Sequence, residues 1–137
     1  MKLEDYDEIV DVWHRSGLGY KPSGRDSKDS IKKQIANYGN LMIVTEDKGQ
    51  IIGVAIGSHD HRKGWINRLA VLPEFRRKGV AKTLIGHLED EFKELGIQVF
   101  CTLIIDGNSE SVDLFENSGY KYLDEVKYFS KRSHLDL

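Results

Sequence analysis

The chain is poor in the features that fix small proteins by covalent or metal staples. Of its 137 residues one is cysteine, Cys101, so no internal disulfide forms, and only Pro22 and Pro73 interrupt the backbone as prolines. No apolar run approaches the length of a membrane span. A formal net charge of -2, with no extended basic tract, argues against a general polyanion-binding role and disfavours nucleic acid as a partner. Residues 1–15 are too acidic and too interrupted to read as a signal peptide, which gives the cytoplasm as the expected compartment.

What is present suits one ordinary soluble domain over 1–137: 39% hydrophobic and 31% charged residues, enough chain to bury a core unaided. Tyr6, Ile9, Val10 and Trp13 recur at helical spacing, with Gly17 as a stop. After the Gly- and Ser-rich loop "SGLGYKPSGRDS", Ser27 caps a second predicted helix carrying Ile31, Ile35 and Tyr38. "LMIVTE" and "QIIGVAIG", parted by "DKG", predict a hairpin, and "WINRLAV" a third antiparallel strand.

A long helix follows Pro73, its apolar stripe running Val80, Ala81, Leu84, Ile85, Leu88, Phe92, Leu95 up to Gly96. "IQVFCTLII" predicts a strand covered on both faces, "SESVDLFENSG" a short helix, and "YKYLDEVKYFSKR" one or two closing strands. The fold class is α/β (α+β): a mixed, mostly antiparallel twisted sheet flanked by helices, with a central β-α-β unit.

Three cations, Arg76, Arg77 and Lys78, stand where the long helix begins. Partial positive charge already gathers at a helix N-terminus, so cations there are unfavourable unless an anion lies between them. Gly79 leaves room for backbone to approach such an anion, and the amides from Arg76 through Val80 and Ala81 to Lys82 suit a diphosphate. The pattern is neither a Walker loop nor a dinucleotide fingerprint.

Residues 65–120 resemble the GCN5-related N-acetyltransferase family. Its (Gln or Arg)-x-x-Gly-x-(Gly or Ala) motif is matched by Arg76, Gly79 and Ala81. Its Asn-x-x-Ala-x-x-(Leu or Phe)-Tyr-x-x-x-Gly-Phe segment is matched by Asn108, Leu114, Gly119 and Tyr120, with Ser111 in the alanine position. The resemblance implies acetyl-CoA as donor, its pyrophosphate on residues 76–82 and its pantetheine arm paired with Leu69, Ala70 and Val71. It places Asn108, Ser111 and Phe115 near the thiol, and it implies no metal. The acceptor it implies is an amine of a small molecule or a protein N-terminus, the enzyme working through a ternary complex, with a homodimer compatible.

Where many relatives carry a tyrosine that protonates the leaving thiolate, this chain has Phe115. Phenylalanine has no proton to give, so Tyr120, Tyr122, Tyr128 or water must serve, or the protein is a non-catalytic acyl-CoA sensor. For the amine's proton, His59 and His61 in "GSHDHRKGW" have a suitable pKa, with Asp60 between them and Glu46 and Asp47 as further carboxylates. The ordinary reading of each histidine is a polar hairpin loop. His-x-His lacks a third metal ligand nearby in sequence. Cys101 lies in an apolar strand and reads as a core thiol, which favours direct transfer. Tyr20, Lys21 and Arg25, in the loop between the first two helices, are candidate acceptor contacts.

Overall fold

Ile9, Val12 and Trp13 become a buried stripe because the first segment is helical: α1 spans Tyr6–Arg15. It ends where Gly17 takes φ +79°, with Leu18 N donating to Trp13 O at 2.9 Å and Gly17 N to His14 O at 3.1 Å, the double bond of a glycine-stopped helix. α2, Lys28–Tyr38, is capped by Ser27, whose Oγ accepts from Ser30 N at 3.2 Å. The computed structural model describes residues 1–134.

Strands β1 (Met42–Asp47), β2 (Gln50–His59) and β3 (Gly64–Val71) form the predicted meander. Lys48 and Gly49, both at positive φ, make the two-residue turn that matches strand twist. α3 (Val80–Glu94) crosses to β4 (Phe100–Thr102), which lies parallel to β3, and α4 (Ser109–Asn117) follows. The sheet order is β1-β2-β3-β4.

Two apolar layers sandwich this sheet. On one face Ile9, Val12, Trp13 and Ile31 pack with Val54 and Ile56; on the other Leu84, Ile85, Leu88 and Phe92 pack with Ala55, Ile66, Val71 and Phe115. Covering both faces explains why β2 is a continuous apolar run without alternation. α3 seats closely because Gly64 carries no side chain: a Cβ there would lie 2.5 Å from the Phe92 ring.

Three expectations are corrected. "YKYLDEVKYFSKR" forms no strand among the described residues, leaving Tyr122, Val126, Tyr128 and Phe129 exposed. With no strand on its outer side, β4 is short and lies at the sheet's edge, so Leu103 and Ile105 are exposed where a strand covered on both faces was expected. Leu95, read as the last core position of α3, sits past the helix end and is half exposed.

Candidate active site

The site begins with an unfinished helix. The first backbone bond of α3 runs from Thr83 N to Gly79 O at 3.0 Å, so the preceding amides have no carbonyl one turn back to receive them. α2 and α4 each have a capping side chain; α3 has none. Arg77 and Gly79 both adopt left-handed φ, +60° and +80°, the backbone conformation found in turns whose N–H groups form anion-binding concavities. A Cβ built on Gly79 would meet no protein atom within 4 Å, although Gly79 lines a cavity. The space saved by the glycine is therefore open to a ligand.

That cavity, about 610 Å³, is bounded by residues 16–18, by Leu69–Val71, by the start of α3 and by α4. Its floor is an incomplete strand edge. β3 pairs with β4 only from Gly64 to Ile66, while on its other side Leu69, Ala70 and Val71 pair with Ala55, Val54 and Gly53. Beyond Ile66 the two parallel strands part, and the outward backbone groups of 69–71 are left to an extended ligand.

Arg76 reaches across the mouth. One of its terminal nitrogens donates to Ser16 O at 2.9 Å and the other lies 3.7 Å from Glu110. The guanidinium is thus held beside the bare amides before any ligand arrives. Glu110 and Asp113, which sequence reasoning did not single out, are lining carboxylates; helical spacing from the Asn108 cap was the signal for them.

Of the thirteen residues expected to hold the donor, Leu69, Ala70, Val71, Arg76, Arg77, Gly79, Val80, Ala81, Lys82, Asn108, Ser111 and Phe115 line this cavity. Lys78 does not; its ammonium lies 5.4 Å from the centre of the Phe75 ring. Asn108 also caps α4, its Oδ1 accepting from Ser111 N at 3.2 Å. Phe115 is a core residue, edge-on to Tyr120 at 5.0 Å.

The expected proton carriers lie elsewhere. His59 ends β2, opposite Gly64, and His61 occupies the following turn. The extended chain from Gly64 to Ala70 covers roughly 20 Å at about 3.3 Å per residue, so neither imidazole reaches the cavity. His59 Nδ1 instead accepts from His61 N at 3.1 Å, and its ring lies edge-on to Tyr38 in a separate hollow. Asp60 accepts from Arg62 N and Lys63 N; these backbone bonds, that from Lys63 foremost, hold its carboxyl below the ordinary range. The described residues contain no group of three or more metal-ligating side chains around this pair.

Tyr120 is outside the cavity too. Its hydroxyl donates to Glu89 Oε2 at 2.9 Å on the flank of α3, and burial, followed by that bond, pushes its pKa well above the usual value. Tyr122 and Tyr128 are exposed and do not line the cavity. Cys101 is partly buried in β4 with its pKa raised by burial, which suppresses the thiolate a nucleophile needs.

The Tyr120 contact carries a stability prediction. A raised folded-state pKa favours the protonated phenol in the native protein, so its contribution is whole below about pH 10 and falls as pH rises toward the folded value. Tyr120→Phe should lose about 1–2 kcal/mol at neutral pH, as for a partly buried hydrogen bond to a carboxylate. Urea melts from pH 7 to 11 should show the gap narrowing above pH 10; a constant gap would refute the coupling.

The four-stranded sheet opens beside an uncapped, cation-flanked helix, and residues 6–120 match the acetyltransferase (GNAT) family model. The chain belongs to that family, which makes it an acetyl-CoA-dependent acyltransferase. It is 29% identical over 136 residues, 98% of this chain and 94% of the other, to the acetyltransferase plu1384 of Photorhabdus laumondii. Among solved structures it resembles the PaiA N-acetyltransferase of Thermoplasma acidophilum in complex with coenzyme A, with TM-score 0.81 and 21% identity over 90% of this chain and 88% of that one. It also resembles the aminoglycoside 6'-N-acetyltransferase AAC(6')-Ig of Acinetobacter haemolyticus, with TM-score 0.79 and 20% identity over 98% and 97%.

Proposed function

We propose that the protein transfers an acetyl group directly from acetyl-CoA to a primary amine, of a small molecule or a protein N-terminus, within a ternary complex. The carrying observation is the coincidence in one cavity of uncapped amides at the start of α3, the poised Arg76, and the unpaired edge of β3. The donor supplies an acyl group on a good leaving thiol. The amides of 79–82, with Arg76 and Lys82, neutralise its diphosphate. The free edge at Leu69–Val71 orients its extended arm, and a backbone N–H on that edge stands ready for charge developing on the carbonyl oxygen.

Alignment of amine and carbonyl then supplies much of the rate. Because the described lining residues include no tyrosine or histidine, proton traffic is assigned to solvent reaching this open cavity. The reading puts the reaction in the cytoplasm, where a coenzyme A thioester is available. Free-thiol release from acetyl-CoA, measured against a panel of polyamines, aminoglycosides and peptides with free N-termini, tests it. Amine-dependent release is expected; tight acetyl-CoA binding with no release for any amine would favour the sensor reading prompted by Phe115.

A homodimer belongs to the same reading. Tyr122, Val126, Tyr128 and Phe129 lie exposed after α4, and Leu103 and Ile105 lie exposed beside the free edge of β4, large apolar side chains of the kind an interface covers. Charges are complementary as well: Lys127 and Lys131 in the tail against Asp106 and Glu116 around α4. A tail laid on the partner's edge, repeated by a two-fold axis, closes the assembly. Wild-type protein should sediment as a dimer and the Val126→Asp/Phe129→Asp variant as a monomer. A monomeric wild type, both at assay concentration and well above it, would refute this.

A further inference from the structure

Two carboxylates, Glu110 and Asp113, line the same cavity as the cations Arg76, Arg77 and Lys82. They stand three residues apart in α4 and so share the helix face that bounds the cavity. Negative charge at this wall opposes a donor whose phosphates are anionic. One reason for Glu110 is local: it lies in the first turn of α4, where an acidic side chain favours the helix dipole. That accounts for an acid at this position but not for its contact with Arg76.

Arg76 is held unequally at its two ends. One terminal nitrogen donates to Ser16 O at 2.9 Å, and the turn just before it, Pro73–Phe75, is tied to α1 a second time by the ion pair of Arg15 with Glu74. The other terminal nitrogen faces Glu110 at 3.7 Å, beyond hydrogen-bond length, in a pair whose side chains are 39% and 78% exposed. The pair of Arg68 in β3 with Asp26, in the loop between α1 and α2, is a permanent contact by comparison: it lies within hydrogen-bond reach at 3.4 Å, its side chains 13% and 3% exposed. An exposed pair such as Arg76 and Glu110 adds little to stability. A phosphate oxygen can close on the same nitrogen to about 2.8 Å, in a charge-assisted bond that the carboxylate does not make at its present distance. One prong of Arg76 is therefore fixed, and the other is loosely occupied by an anion that a better anion displaces.

We propose that Glu110 is an internal stand-in for a donor phosphate. It holds the second prong of Arg76 across the mouth of the empty cavity, yields it when the donor binds, and retakes it as coenzyme A leaves. Glu110 thereby lowers the affinity for donor and product alike and keeps the cofactor exchangeable. This rests on the donor site described above. Coenzyme A offers two kinds of phosphate, the diphosphate and the one on its ribose, and 3'-dephospho-CoA, which lacks the second, tells them apart.

Calorimetric titration with acetyl-CoA, CoA and 3'-dephospho-CoA, at low and high salt, compares wild type with Glu110→Gln, Asp113→Asn, Arg76→Gln and the Arg76→Gln/Glu110→Gln double variant. Glu110→Gln should bind acetyl-CoA and CoA about three- to tenfold more tightly at low salt, and the gain should shrink at high salt. Asp113→Asn removes an equal charge from the same helix face but has no ion pair with Arg76 among the described residues, so its gain should stay below about twofold. Once Arg76 is gone, Glu110→Gln should add at most about twofold. An equal gain with 3'-dephospho-CoA assigns the diphosphate to Arg76; a gain confined to CoA and acetyl-CoA assigns the ribose phosphate. Unchanged or weaker binding by Glu110→Gln would reduce Glu110 to a helix-dipole charge and overturn the proposal. Equal gains from the two carboxylate variants, or a gain that persists in full without Arg76, would overturn it as well, leaving only general repulsion. If Arg76→Gln does not fold, the comparison of Glu110→Gln with Asp113→Asn carries the test. Wild type that binds none of the three ligands would instead mark failure of the donor reading, and the proposal would fall with it.

Discussion

Gly79→Glu should weaken acetyl-CoA binding by at least about a hundredfold, close to 3 kcal/mol, in a protein that still folds. Two effects combine at this position. A carboxylate would project into the space bounded by the bare amides of α3, where two like charges about 4 Å apart repel by roughly 4 kcal/mol at a surface-like dielectric. The left-handed backbone, φ +80°, also costs a non-glycine residue about 1–2 kcal/mol, and that part falls on stability. Gly79→Ala separates the two. It carries the same backbone strain, its Cβ meets no protein atom within 4 Å, and it brings no charge, so its affinity should stay within about tenfold of wild type. Calorimetric titration of all three proteins at two salt concentrations decides the matter. Equal affinity in wild type and folded Gly79→Glu would remove the diphosphate from the start of α3. Weakening of wild-type binding by salt would show that charge, beyond shape, supports it.

The parts of this site legible in the sequence are those written in local chemistry. Three cations before a glycine and a helix signal an anion, and the run through Val80, Leu84, Leu88 and Phe92 fixed which way the helix faces. The hairpin at Lys48 and Gly49 was equally local. Distances across the sheet were not legible. His59 and His61 precede β3 in sequence, which suggested nearness to the site, but β3 runs away from them and presents its far end to the cavity. The Asp26–Arg68 pair was invisible for the same reason: partners 42 residues apart meet only after the sheet and α1 have packed. The tail failed differently. Its β-prone residues express a local preference, but a strand also needs a partner, and among the described residues the tail pairs with none although the outer edge of β4 is free.

Turnover should rise about tenfold per pH unit between roughly pH 6 and the pKa of the acceptor amine, with no break near the histidine value of about 6.5. The reason lies in the cavity lining, which holds arginines, lysine and carboxylates but no imidazole. With no imidazole among the described lining residues, the fraction of unprotonated amine sets the slope, and an acceptor with pKa of about 10.4 has little of that form at pH 7. The His59→Ala/His61→Ala variant should follow the wild-type curve, because those rings interact with each other and His59 with Tyr38 in a separate hollow. Phe115→Tyr probes the other proton. A tyrosine there would carry a hydroxyl at the cavity that Phe115 lines, so it should raise kcat most toward the alkaline end of the range, below the tyrosine pKa of about 10, where solvent is the poorest proton donor. Profiles of kcat/KM for two amines of different pKa make the test sharp. Breaks that move with the amine assign proton loss to the acceptor itself, whereas one fixed break near 6.5, removed by the histidine substitutions, would return the histidines to the mechanism and require the hairpin to reach the cavity in the working complex.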